Sequence, residues 1–170
     1  KLNRRIFEAA RGKIDILLIG DDMGTQSGLL ISPAQIHSFI LPYLKKYIKL
    51  CREYNVKVMF HSCGAIKEII PDLIDAGFDI LNPVQVRAAG MVPVELKKEF
   101  GEKICFHGGV DVQKTLPYGT VEDVRREVRE RIDILGENGG YILAPTHNFQ
   151  ADIPVENIIA FYKEAGSINI

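Results

Sequence analysis

Three residues carry side chains that together suit a divalent transition metal. His61 and Cys63 stand two apart in the run Phe60-His61-Ser62-Cys63-Gly64, a spacing that lets an imidazole and a thiolate at the end of an extended segment reach one ion. Zinc takes nitrogen and sulfur donors tetrahedrally, and a catalytic zinc keeps three protein ligands and one open position. His147 is the candidate third ligand. The competing reading is that His61 and His107 hydrogen-bond at strand ends and Cys63 is a small buried residue, and a short H-x-C motif does not decide between them. Asp21 and Asp22, beside Gly20 and Gly24, form a second candidate group. Close carboxylates push their pKa values apart, so one could hold or protonate a substrate; the pair would serve equally well as an Asx turn and cap. His107-Gly108-Gly109 leaves room for a ligand near the backbone and Asp111 can bind a polar group, while the same glycines suit a tight loop. Gln85 and Asn148 are candidate cofactor contacts.

These residues fall at the ends of short apolar runs that alternate with longer segments of helical period, the pattern of βαβ units on a parallel sheet. Strands are predicted over 14–20, 56–61, 78–82, 103–107 and 141–144. Their continuous apolar character fits parallel strands covered on both faces. Helices are predicted over 33–54, 66–76, 93–100, 121–135 and 154–165, and residues 3–11 read as the end of another. Ser32-Pro33, and Thr120 with Asp123, mark helix starts; Leu41-Pro42 predicts a kink, because proline removes one backbone bond. Polar clusters follow every predicted strand. Convergence of such clusters from five strands on one face favours part of a TIM (β/α)8 barrel over a doubly wound sheet.

Composition narrows the function classes. The 170 residues are 46% hydrophobic, with 21 basic and 22 acidic side chains and a net charge of −1, so one domain or part of one is expected. No basic block offers a footprint for nucleic acid or an anionic membrane. No apolar run approaches the ~20 residues that cross a bilayer and no signal-peptide pattern opens the chain, so a cytoplasmic location is expected. Cys51, Cys63 and Cys105 are expected to be reduced. There is no phosphate-binding glycine loop and no G-x-S-x-G elbow.

Several motifs in fixed order, GDDMGTQSGLLISP (20–33), FHSCG (60–64), DILNPVQ (79–85), HGGVD (107–111), LPYGT (116–120) and ILAPTHNFQADIPVENI (142–158), resemble the uroporphyrinogen decarboxylase superfamily, in particular its branch related to corrinoid-dependent methyltransferases. The resemblance spans almost the whole chain. It implies a (β/α)8 barrel of roughly twice this length, of which residues 1–170 would be the C-terminal five βα units, and hence a fragment without activity of its own. It further implies zinc bound by His61 and Cys63, with His147 where the methyltransferases carry a later cysteine, and Gln85 where a relative carries an acidic residue near the metal. The implied reaction moves a methyl group between a methyl-corrinoid and a thiol, with a small molecule or a corrinoid protein as partner. The alternatives are a metal-free decarboxylase of porphyrin biosynthesis, using Asp21 or Asp22 to bind substrate, and a non-catalytic half-barrel. Open sheet edges would favour a homo-oligomer or pairing with an N-terminal half.

Overall fold

The computed structural model describes residues 1–166. Helix α1 (Leu2–Ala10) precedes β1 (Ile16–Gly20), and the chain then alternates: α2 (Pro33–Gln35) and α3 (Leu41–Glu53), β2 (Lys57–His61), α4 (Ile70–Ala76), β3 (Ile80–Val84), α5 (Pro93–Phe100), β4 (Cys105–Val110), α6 (Thr115–Tyr118) and α7 (Val121–Leu135), β5 (Tyr141–Pro145), α8 (Val155–Gly166). The five strands are parallel and lie in the order β1-β2-β3-β4-β5. A doubly wound sheet would reverse direction at a switch point. Here each crossover steps to the next position in the same sense, which places the helices on one face and leaves the other as the interior wall of a partial barrel.

Burial follows this asymmetry. The outward-facing residues Val58, Phe60, Leu81 and Phe106 have no exposed surface, because helices α3 to α7 cover them. Inward-facing residues of the two edge strands are open: Leu18 is 56% and Ile142 37% exposed. The first core cluster runs from Phe7 and Ile36 through Phe60 and Phe106, and a second joins Val110, Leu116, Val124, Val128 and Phe161 under α7 and α8.

The helix starts follow the local chemistry. Ser32 and Thr120 each complete a reciprocal cap, with Gln35 and Asp123 respectively, satisfying otherwise orphaned amide groups. Before Pro42 the predicted kink takes the form of a π-helical turn over Ile36–Ile40, in which the Leu41 N–H reaches the Ile36 carbonyl. Strands β3 and β4 run further than the sequence indicates. Asn82-Pro83 and Gly108-Gly109 read as punctuation, yet β3 is buried at all five positions, and a register shift between Leu81 and Val84 accommodates the proline, which has no N–H to give. Among the described residues no helix is long and apolar enough to cross a membrane.

Candidate metal centre

The loops that follow all five strands meet at one small cavity of about 240 Å3. Gly24 to Gln26 line it from β1, Cys63 and Gly64 from β2, Gln85 from β3, Val112 and Gln113 from β4, and Thr146 and His147 from β5. A larger cleft of about 800 Å3 lies among α5, α6 and α7, but it holds none of the grouped metal donors. The smaller one sits where barrel enzymes place their chemistry, at the C-terminal ends of the strands.

Two of these loops are stitched together. The Met23 N–H donates to Ser62 Oγ at 2.9 Å and the Ala65 N–H to the Thr25 carbonyl at 2.7 Å. Gly64 adopts φ +91°, and a Cβ there would lie 2.4 Å from the Gly24 carbonyl carbon; only glycine allows the two backbones to pass this closely. Gln85, buried in the floor, accepts the Gly64 N–H through Oε1 at 2.7 Å. The consequence is a fixed position for Cys63.

Beside Cys63 three donors converge. Asp22, His61 and Cys63 present ligand atoms that all lie within 4.8 Å of one another. His61 Nε2 is 3.8 Å from Cys63 Sγ and 3.7 Å from Asp22 Oδ1. Nitrogen at ~2.0 Å and sulfur at ~2.3 Å from one tetrahedral ion stand roughly 3.5 Å apart, so the His61–Cys63 pair closes on an ion with a shift of only a few tenths of an ångström. The same Asp22 oxygen accepts the Cys63 N–H at 2.8 Å, leaving a second lone pair. Burial, and next the Asp22 carboxylate, push the Cys63 thiol above its ordinary range. Without a cation it stays protonated near neutral pH; a bound cation would favour the thiolate.

A polar ladder supports the donors. His61, Asn82 and His107 occupy adjacent inward-facing positions on β2, β3 and β4. Asn82 Oδ1 meets His61 Nδ1 at 2.5 Å and Asn82 Nδ2 meets His107 Nδ1 at 2.5 Å. Burial, reinforced by neighbouring His61, lowers the His107 pKa and keeps that ring neutral at physiological pH.

The remaining sequence candidates are distributed around this centre. His147 is exposed, lines the shared cavity with Cys63, and approaches Gln150 Nε2 at 3.5 Å; it stands outside the three-donor group. Asp22, from the strand adjoining β2, is inside it, whereas β5 lies three strand spacings away, about 14 Å along the sheet. Asp21 is exposed, and its N–H donates to the His61 carbonyl at 3.0 Å. Asp111 is almost fully buried: Arg87 Nε donates to Oδ2 at 2.6 Å and the Gln113 N–H to Oδ1 at 2.8 Å. Asn148 is exposed, and its carbonyl accepts from Gln150. The sequence places Asn82 within a polar cluster at a strand end without a specific role, and gives Arg87 none. An asparagine inside an otherwise apolar run was the one available signal for the former.

Comparison with known proteins agrees with this architecture. The uroporphyrinogen decarboxylase (URO-D) family model matches residues 6–167. The chain is 27% identical over 146 residues to the methylcobamide:CoM methyltransferase MtaA of Methanosarcina barkeri, covering 86% of this chain and 40% of that protein. It is 25% identical over 140 residues to the chloroplastic uroporphyrinogen decarboxylase of Zea mays, covering 81% and 34%. A methyltransferase structure from Methanosarcina mazei superposes with a TM-score of 0.70 at 26% identity, covering 90% of this chain and 42% of that one. The chain thus spans about two fifths, or somewhat less, of the length of these relatives. With a singly wound parallel sheet, a strand-end site and a family match across nearly its whole length, the chain belongs to the uroporphyrinogen decarboxylase (URO-D) family.

Proposed function

We propose that this chain carries the metal-holding part of an enzyme that transfers a methyl group between a methyl-corrinoid and a thiol. The observation that carries the reading is the convergence of Asp22 Oδ1, His61 Nε2 and Cys63 Sγ, the last of which also lines a cavity built from all five strand ends. A soft thiolate, an imidazole and a carboxylate form a zinc-type donor set. His61 and Cys63 would hold the ion and Asp22 would complete the protein ligands, with His147 on the wall of the cavity that Cys63 also lines. When bound, such an ion lowers the pKa of an incoming thiol and holds the thiolate as a nucleophile. The chain's own residues do the rest. Gln85 and Ser62 lock the Cys63 loop, Asp22 fixes the Cys63 amide, and His147 on the cavity wall offers a base for the proton that the thiol releases. Buried Asp111, clamped by Arg87, orders the loop after β4 that closes one side of the cavity.

The names of the methyltransferase relatives support methyl transfer between a cobamide and coenzyme M as the chemistry; the acceptor here is proposed only as a thiol. Elemental analysis of the purified full-length protein tests the reading. About one zinc per chain is expected, lost in a His61→Ala, Cys63→Ser double variant and kept in His147→Ala. No metal in the parent protein would overturn the zinc site and bring a metal-free decarboxylase or a non-catalytic half-barrel forward. Loss of metal in His147→Ala would replace Asp22 by His147 as third ligand.

A further inference from the structure

We infer that Asn82 is a positioning residue that selects which nitrogen of His61 faces Cys63 and Asp22. The inference rests on the metal-site reading for its purpose, but not for its geometry. Inward-facing positions on β2, β3 and β4 place the Asn82 amide between two imidazoles, and an amide is the neutral side chain that offers an acceptor at one end and donors at the other. Its oxygen stands 2.5 Å from His61 Nδ1. Only a protonated Nδ1 can donate to an oxygen, so this contact draws the ring proton to Nδ1 and leaves the lone pair on Nε2, the nitrogen turned toward Cys63 Sγ and Asp22.

A competitor exists. The Asp22 carboxylate would favour a proton on Nε2, which would block that nitrogen as a ligand. At 3.7 Å it is beyond hydrogen-bonding distance, whereas the Asn82 contact is short and half-buried, where such bonds are stronger than in open water. Asn82 therefore wins. His107 sets the direction of the amide: its Nδ1 accepts from Asn82 Nδ2 at 2.5 Å, which holds the oxygen end toward His61. Outer partners of this kind orient histidine ligands and tune their basicity, and their loss costs metal affinity about 10- to 100-fold.

The tautomer is read directly by long-range 1H–15N correlation spectra of the full-length protein labelled at histidine nitrogen, before any metal is added. The expected result is a pyrrole-type Nδ1 and a pyridine-type Nε2 for His61; the reverse pattern overturns the inference whether or not zinc binds. Titration with zinc or cobalt(II) then measures the consequence. Asn82→Leu is expected to weaken binding by about 10- to 100-fold in a protein that still folds cooperatively, while Asn82→Asp, which keeps an acceptor for Nδ1, retains it. Equal affinity in Asn82→Leu overturns the positioning role. Absence of metal binding in the parent protein, with the expected tautomer present, would sink the metal-site reading alone.

Discussion

The two faces of the sheet obey different physics. The outer face is apolar and sealed: Val58, Phe60, Leu81 and Phe106 interlock with the helices and expose nothing. The inner face carries Leu18 and Ile142 half open to solvent at its edges, with the imidazole–amide–imidazole ladder between them. Removing apolar surface from water stabilises the first face at roughly 25 cal/mol per Å2. The second face gains little of this, and its order depends on hydrogen bonds between strands. Structure and chemistry are thus divided by side-chain parity along each strand, with odd and even residues serving different ends.

Substitutions can break this contrast. Leu81→Ala on the outer face should cost about 2–5 kcal/mol in chemical denaturation, whereas Leu18→Ser on the inner face of this chain should stay within about 0.5 kcal/mol. Equal losses would show that the inner face is covered in solution. At the junction of the faces, Gly64→Ala forces a Cβ into the Gly24 backbone at a left-handed residue. A loss of about 1–3 kcal/mol is expected, together with weaker metal binding, because the same strand-end loop carries Cys63. Metal affinity unchanged in a folded Gly64→Ala protein would separate the loop stitching from the site. A control lies far from either face, at the start of α7. Thr120→Ala should cost about 1 kcal/mol. Hydrogen bonds from the Thr120 side chain, then its backbone, then Arg126 hold the Asp123 carboxyl down at about 2 from an ordinary 3.8. A depressed folded-state pKa contributes stability above the unfolded value, lost as pH falls through the folded one. The contribution should therefore be intact above about pH 4 and vanish toward pH 2, and Asp123→Asn should flatten that part of an acid-unfolding curve.

What the sequence revealed follows from how local each signal is. Helices α5 and α7 begin and end where the sequence places them, because Pro93, and Thr120 with Asp123, are start signals within one turn of the segments they govern. The extension of β3 beyond Asn82 through Pro83-Val84 was hidden, since a proline reads as the end of a strand unless the neighbouring strand tolerates a register shift. His61 and Cys63 were legible as a pair from their spacing. Their geometric companion was not: Asp22 joins them because β1 pairs with β2 in the register Gly20 to His61, a relation between residues some forty positions apart. Asn82 was hidden for the same reason, since its contacts span 21 residues to one histidine and 25 to the other.

The strictly sequential strand order has a consequence for how the molecule comes together. Every strand pairs with the one before it in the chain, so no pairing waits for a distant segment, and each closure links residues separated by a single crossover. Each closure still spans a whole crossover, so loop entropy is lost before the pairing contacts form and parallel pairing of this kind is slow, but the steps can follow one another along the chain. The sheet can therefore grow by accretion, one βα unit at a time. Asp22, His61 and Cys63 are brought together by the single pairing of β1 with β2, so the donor cluster depends on one step of that growth.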